Sequence, residues 1–217
     1  TPILVHGGGL GIKKKLDEQN IKSKFIMGLR VTDKKMIKVV EDVMIEFNKK
    51  IIKILEKKSC KPKSITIKEN NIIYVEQEKE ELGFVGKPKR IDVKLLKEII
   101  KDDFVPIITP MGLDDQKKTY NINADVAAGA LAISIKSRRL ILLTDVEGVK
   151  DKNGKLISEI NTLGARELVN TKTIHGSMIP KIKTCIDAIN NGVRAVVIID
   201  GRKPHSILFE LFSDRGA

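Results

Sequence analysis

The chain has no tryptophan, only 4% aromatic residues, and two cysteines among its 217 residues. Scarce aromatics leave few platforms on which bases stack, which argues against single-stranded nucleic-acid binding even at a formal net charge of +12. The lysines are spread along helix faces and loops, so a solvated basic surface accounts for the excess; a nucleic-acid partner is the competing explanation. Cys60 and Cys185 lie far apart with no C-x-x-C spacing, so neither a zinc site nor a disulfide framework is indicated, and a reducing compartment fits. No apolar stretch is long enough to span a bilayer. No basic segment followed by an apolar core opens the chain as a secretory signal would. The sequence starts at Thr1 without Met and stops soon after an apolar helical segment, as a fragment would. The commonest nucleotide motifs are missing too. Ile12 stands where a G-x-G-x-x-G starting at Gly7 needs glycine. The stretch from Gly148 to Gly154-Lys155 has a spacer one residue too long for a P-loop, with Leu156 in place of Ser or Thr. There is no HRD or DFG set, no G-x-S-x-G elbow, and no histidine paired with a nucleophile.

What remains is a well-patterned α/β chain with 41% hydrophobic and 31% charged residues. Ile3–Val5 reads as a strand that enters a Gly7-Gly8-Gly9 turn and then a helix to about Gln19. Thr32-Asp33 caps a long helix, because Met36, Val39, Val40, Val43, Met44, Phe47, Ile51 and Leu55 recur at helical spacing. Ser64–Ile67 and Ile72–Val75 flank Glu69-Asn70-Asn71 and read as a β-hairpin. A helix carrying Leu95, Leu96, Ile99 and Ile100 precedes a buried strand, Phe104–Thr109, closed by Pro110. Then follow a helix near Ala124–Lys136, a strand at Leu140–Thr144, and a turn at Asp151–Lys155. Helices near Ala165–Val169 and at Ile179–Asn190 come next, the latter ended by Gly192. A strand at Val196–Ile199 and a helix from about His205 complete the pattern. Such alternation implies a mainly parallel sheet with helices on both faces. The change near Pro110 is the expected border between two lobes, residues 1–110 and 111–217.

Residues 121–148 carry the most chemical information. In NINADVAAGALA, Asn121, Asn123 and Asp125 are expected at a helix start, where backbone N–H groups are unpaired and anions are favoured. The strand ending in Thr144-Asp145 puts Asp145 at a carboxyl end, where open α/β sheets bind ligands. Lys181, in MIPK, lies at the start of another helix. Glycines 7–9 let backbone N–H groups approach an anion closely, although three glycines alone also make a plain tight turn. Arg30 precedes a helix and offers a bidentate fork for a carboxylate; the alternative is an ordinary surface arginine. An anion site with carboxylates to organise it and a lysine to face it suggests phosphoryl transfer.

The ordered set Val5–Gly9 (VHGGG), Gly28–Thr32 (GLRVT), Leu82–Gly86 (LGFVG), NINADVAAGALA, LILLTDVEGV, Met178–Lys181 (MIPK) and Asp200–Phe212 (DGRKPHSILFELF) resembles the amino-acid kinase family over nearly the whole chain. The resemblance implies an open, mainly parallel sheet sandwiched by helices, the carbamate kinase-like αβα fold. Its N-terminal lobe would bind the amino-acid substrate and its C-terminal lobe ATP. It also implies phosphorylation of the side-chain carboxylate of N-acetyl-L-glutamate, using ATP with Mg²⁺, in arginine biosynthesis. A sister kinase or a non-catalytic regulatory domain of the same fold is the alternative. By the same resemblance, Gly8 and Gly9 would hold substrate and the transferring phosphoryl group through backbone N–H. Arg30 would bind the α-carboxylate, and Asn121 would help fix the substrate. Asp125 would orient catalytic lysine, and Lys181 would neutralise the moving phosphoryl group. Asp145, Val146, Glu147, Gly148, Val149 and Lys150, with Thr173, Ile174 and His175, would line the nucleotide pocket. No protein-built metal site is expected. A homo-oligomer, dimer or hexamer, is implied, with PII signalling protein as a further partner and the cytoplasm or plastid stroma as the location.

The chemistry suits these residues independently. A glutamate side chain has a pKa of about 4.3, so the nucleophile is ionised at neutral pH and no general base is needed. What remains is holding two mutually repelling anions in line, a task for N–H groups and cations. Three departures accompany the resemblance. The family's lysine-bearing first strand would precede Thr1, its glycine-rich C-terminal segment would follow Ala217, and Ser177 stands where glycine is usual. A Cβ at position 177 would crowd the nucleotide loop if φ there were positive.

Overall fold

Two parallel sheets organise the molecule, which is described here for residues 1–213 from a computed structural model. In the first, β1 (Leu4–Val5) and β4 (Pro62–Ile65) flank β7 (Val105–Ile108), with Val5 opposite Ile108 and Ser64 opposite Ile107. In the second, β10 (Arg139–Thr144) and β11 (Ala195–Asp200) run in register from Arg139 opposite Ala195 to Thr144 opposite Asp200. A mixed four-stranded sheet lies beside them, in the order β6 (Gly86–Ile91), β5 (Ile73–Gln77), β8 (Met111–Leu113), β9 (Thr119–Asn121). A small antiparallel pair, β2 (Phe25–Ile26) and β3 (Leu29–Arg30), stands apart from these.

Helices cover both faces of the first sheet, and the alternation along β4 shows how. Ile65 enters a core with Leu96 and Ile99 of α3 (Val93–Lys101) and with Ala127 and Leu131 of α4 (Ala124–Ser134). Ser64, pointing the other way, reaches Asn48 on α2 (Lys34–Glu56). The α2 stripe Met36, Val39, Val40 and Met44 packs on Ile12 and Leu16 of α1 (Gly9–Glu18). Asp33 caps α2 as its spacing predicts, accepting from the N–H groups of Lys35 and Met36 at 2.8 Å each; removing such a cap costs about 1 kcal/mol.

Helix α4 is the element common to both halves. Its Ala127 and Leu131 belong to the first core, while Ala132 packs with Leu140 and Leu142 of β10 and with Ala188 of α6 (Met178–Asn190). Small residues on several sides let it sit between neighbours at close range. Beyond it, α5 (Thr162–Asn170) packs on α6, and α7 (Ser206–Phe212) follows β11. No described helix is long and apolar enough to cross a membrane.

Several local expectations change. Ser64–Ile67 and Ile72–Val75 do not form a hairpin with each other: β4 joins the parallel sheet and β5 pairs with β6. Ile65 and Ile72 are both buried in one core, and pairing with separate partners satisfies that burial for each. Asn121 ends β9 instead of starting a helix, because its N–H bonds the Phe84 carbonyl at 2.9 Å. Asn123 is the cap of α4, accepting from Asp125 and Val126 N–H at 3.0 and 3.2 Å. Ser177 has φ −69°, so its Cβ strains nothing.

Candidate active site

The centre of the site is an ion pair between two helices. Lys181 Nζ donates to Asp125 Oδ1 at 2.8 Å, with the lysine side chain 9% and the aspartate side chain 20% exposed. Asp125 lies in the first turn of α4, and Lys181 in the first turn of α6. The helices approach closely at Gly129, one turn further along α4. A Cβ there would sit 2.4 Å from Thr184 Cγ2. Cys185, beside this contact, is half-buried near Asp125, and burial first and that charge second push its thiol up to about 12.

From this pair a ring of contacts runs around one cleft. On one side, a side chain built on Gly7 would come within 4.0 Å of Ala124 Cβ, so the glycine turn adjoins the start of α4. The turn opens α1 with Gly8 as an N-cap that has no side-chain bond. The starts of α1 and α4 therefore lie close together, each helix end carrying partial positive charge. On the other side, the tip of the β2–β3 hairpin reaches α6. Gly28 has φ +82°, and a Cβ on it would lie 2.8 Å from the Gly176 carbonyl and 2.9 Å from Pro180 Cδ.

The ring closes through buried Thr32. Its hydroxyl donates to the Arg30 carbonyl at 3.1 Å, and the same Thr32 Oγ1 accepts from Asn121 Nδ2 at 3.4 Å. The segment Leu82–Gly86 stitches this corner, with Gly83 bridged to Thr32 and Val85 to Asn121. The Arg30 guanidinium bonds Ser23 Oγ and lies 4.7 Å from the Phe25 ring centroid, so its own hairpin holds it. Burial lowers its pKa from the ordinary value, yet a guanidinium stays charged at any working pH.

The expected nucleotide residues form a second group nearby. Asp145, Val146 and Glu147 follow β10, with Lys150 Nζ 2.9 Å from Glu147 at the surface. Thr173 Oγ1 is 3.0 Å from Thr171 Oγ1, and His175 is exposed. Val149 and Ile174 share an apolar cluster with Ala165 and Ile182, which joins this loop pair to the residue after Lys181. Their side chains are core, at 8% and 5% exposed. Gly148 lies between, against Leu156.

Asp200 and Arg202 belong to this rim and escaped the sequence reading as separate candidates. Asp200 ends β11 opposite Thr144, and Arg202 grips it with Nε at 2.9 Å and Nη2 at 2.8 Å. Those bonds hold the Asp200 carboxyl down at about 2. Arg202 in turn feels the charges of Asp145 and Glu147. An apolar strand followed directly by Asp-Gly-Arg was the available signal.

Two surface grooves, of about 310 Å³ between α5 and α6 and about 290 Å³ among β6, α4 and α6, contain none of the ring residues. Among the described residues no three carboxylate, histidine or cysteine side chains converge as a metal cage. The residues present do not fit a protein-held Mg²⁺; oxygens of a bound polyphosphate would have to supply most of its ligands.

Residues 1–200 match the amino acid kinase family. An acetylglutamate kinase of Pelagibacter ubique is 60% identical over 217 residues, all of this chain and 75% of that protein. The crystal structure of smu.665 from Streptococcus mutans UA159 superposes with a TM-score of 0.87 at 29% identity, covering 91% of this chain and 81% of that one. Carbamate kinase from Giardia lamblia bound to AMP-PNP shares the fold, with a TM-score of 0.64 at 15% identity over 91% of this chain and 76% of its own. With the family match running over residues 1–200 and 60% identity to a relative over its whole length, this chain belongs to the amino acid kinase family.

Proposed function

We propose that this chain phosphorylates the side-chain carboxylate of N-acetyl-L-glutamate with ATP, giving N-acetylglutamyl 5-phosphate for arginine biosynthesis. The observation that carries the reading is 60% identity, over the whole chain, to a protein named acetylglutamate kinase. In this reading residues 1–110 bind the amino acid and residues 111–217 bind ATP. The Arg30 fork takes the α-carboxylate and Asn121 fixes the substrate. The ionised side-chain carboxylate attacks the γ-phosphorus directly, a P–O bond forms, and the bond to ADP breaks. No proton leaves the nucleophile, so no base is required. Gly8 and Gly9 present N–H groups to the transferring phosphoryl oxygens. Lys181 neutralises the charge that builds there, and Asp125 holds its ammonium in place. Asp145–Lys150 and Thr173–His175 border the nucleotide. ATP brings Mg²⁺, whose contribution is charge neutralisation on the phosphates.

A homo-oligomer and a PII partner rest on the family resemblance alone. The bacterial source of the relatives favours a bacterial cytoplasm over a plastid stroma.

The test is ADP release together with acyl phosphate trapped as hydroxamate. It is run on the chain and on a version extended by the family's lysine-bearing first strand. Product only when N-acetylglutamate and Mg-ATP are both present supports the reading. Comparable turnover of aspartate, glutamate or UMP moves the assignment to a sister kinase. Ligand binding without turnover by the extended version makes the domain regulatory.

A further inference from the structure

One buried titratable group plays no part in the chemistry above. His6 follows β1, directly before the glycine turn, and is 5% exposed. Its Nδ1 lies 3.0 Å from the Gly7 carbonyl, which only accepts, so Nδ1 carries the proton. Burial outweighs that bond and lowers the imidazole pKa, so the ring is neutral at pH 7 and Nε2 is an acceptor. Asn48 Nδ2 meets Nε2 at 3.2 Å and gives its second hydrogen to the Ile107 carbonyl at 2.9 Å. Asn48 Oδ1 accepts from Ser64 Oγ at 3.0 Å. Phe47 closes the site edge-on, its ring centroid 5.3 Å from that of His6 at 77°. Asn48 is fully buried on α2, and every polar atom in its amide has a partner. Such a network is costly unless complete, and it fixes one arrangement when complete.

We propose that His6, held by Asn48 and Ser64, is a positioning residue that aims the Gly8 N–H into the cleft; this rests on the reading of Gly8 given under Proposed function. A trans peptide unit is planar, with its C=O and N–H antiparallel. Pinning the Gly7 oxygen toward His6 therefore points the Gly8 hydrogen the opposite way. Among the described residues no backbone carbonyl accepts that hydrogen. The imidazole thus selects the orientation of a donor it never touches, and α2, β4 and β7 supply the rigidity. Glycine, free of side-chain restraint, would otherwise let this peptide flip.

The experiment uses the extended protein with His6→Phe, which keeps the ring and loses both nitrogens, and His6→Asn, whose amide N–H can replace Nδ1–H. His6→Phe is expected to lower kcat roughly 10- to 100-fold with the KM for ATP little changed, as for a donor displaced at the reacting centre. His6→Asn should recover most of that loss. Independently, ¹⁵N correlation spectra of the wild-type imidazole should show the Nδ1–H tautomer, which free histidine disfavours. Full activity of a folded His6→Phe protein overturns the proposal, and so does an Nε2–H ring in the wild type, which decides the matter even if His6→Phe fails to fold. Absence of turnover in the wild type overturns the kinase reading instead, and leaves the tautomer measurement to judge the network.

Discussion

Gly129→Ala tests whether the approach of α4 to α6 sets the Lys181–Asp125 contact. The new Cβ would lie 2.4 Å from Thr184 Cγ2. Carbon atoms rest about 3.5–4.0 Å apart, so the helices must part by roughly 1 Å or Thr184 must leave its rotamer. Overpacking of this kind costs about 1–3 kcal/mol. Alanine returns about 1 kcal/mol through helix propensity. The net loss is therefore about 0–2 kcal/mol, a fall in Tm of up to roughly 8 °C for a chain of this size. Turnover is the sharper readout. Asp125 and Lys181 lie within about a turn of the clash on their helices, and their contact is 2.8 Å. Adding 1 Å takes it beyond the hydrogen-bond limit of about 3.2 Å, and a reacting group misplaced by 1 Å costs about 100-fold in rate. Thr184→Ser removes the offending methyl, so the double variant should regain kcat and most of the Tm, a non-additive cycle between touching residues. Wild-type kcat in Gly129→Ala, or no relief from Thr184→Ser, would refute the reasoning.

Lys181→Ala should lower kcat about 100- to 1,000-fold while KM values change only a few-fold, because its charge acts as the phosphoryl group moves; steady-state kinetics in which affinity falls and kcat holds would contradict this. Arg30→Lys should raise the KM for N-acetylglutamate about tenfold with little change in kcat, since a point charge replaces a fork. An unchanged KM would make Arg30 a structural residue of its hairpin. The Cys185 thiol, pushed up to about 12, should resist iodoacetamide at pH 8 in the folded protein and react once unfolded, read by peptide mass spectrometry. The same shift gives a pH effect of definite sign. Above about pH 9 the unfolded thiol loses its proton while the folded one keeps it, so stability falls as pH rises toward 12. Cys185→Ala should lessen that fall, and an identical decline in both proteins would count against a half-buried thiol kept neutral by its surroundings.

Periodicity revealed α2, α3 and α6 because each presents a regular apolar stripe, and Asp33 and Gly192 marked their ends. Two of the parallel strands were visible as apolar runs at Phe104–Thr109 and Val196–Ile199, each within a residue of the strands Val105–Ile108 and Ala195–Asp200. Short elements were not. The β2–β3 turn puts Met27 at φ 48° before Gly28 at φ 82°, and methionine is not a residue that signals such a turn. The β8–β9 pair spans only three residues a side, too few for alternation to register. Glu69-Asn70-Asn71 looked like a hairpin turn because local chemistry says nothing of which strand will pair with which; the shared core decides that. In the site, the ionic and glycine positions were legible because charge and missing side chains stand out against a core. Thr32, Gly129 and the Asp200–Arg202 pair act through contacts between distant segments, which spacing cannot display. Asn48 was detectable in principle, as an amide one turn after Met44 on a buried stripe.

The arrangement around the cleft is poor for stability alone, and that is informative. Lys181 stands in the first turn of α6, where the helix dipole disfavours a cation. The start of α1 is left to Gly8 with no side-chain cap, although a serine or aspartate there would be the stabilising choice. His6 and Asn48 occupy buried volume that apolar residues would fill at less risk. In the proposed reading each choice serves a donor or a positive charge at the site, with Asp125 as the carboxylate 2.8 Å from the Lys181 ammonium. A fold selected only to persist would neutralise these ends. One that must draw a triphosphate and a carboxylate together needs them open, because their mutual repulsion is the barrier that fixed donors remove.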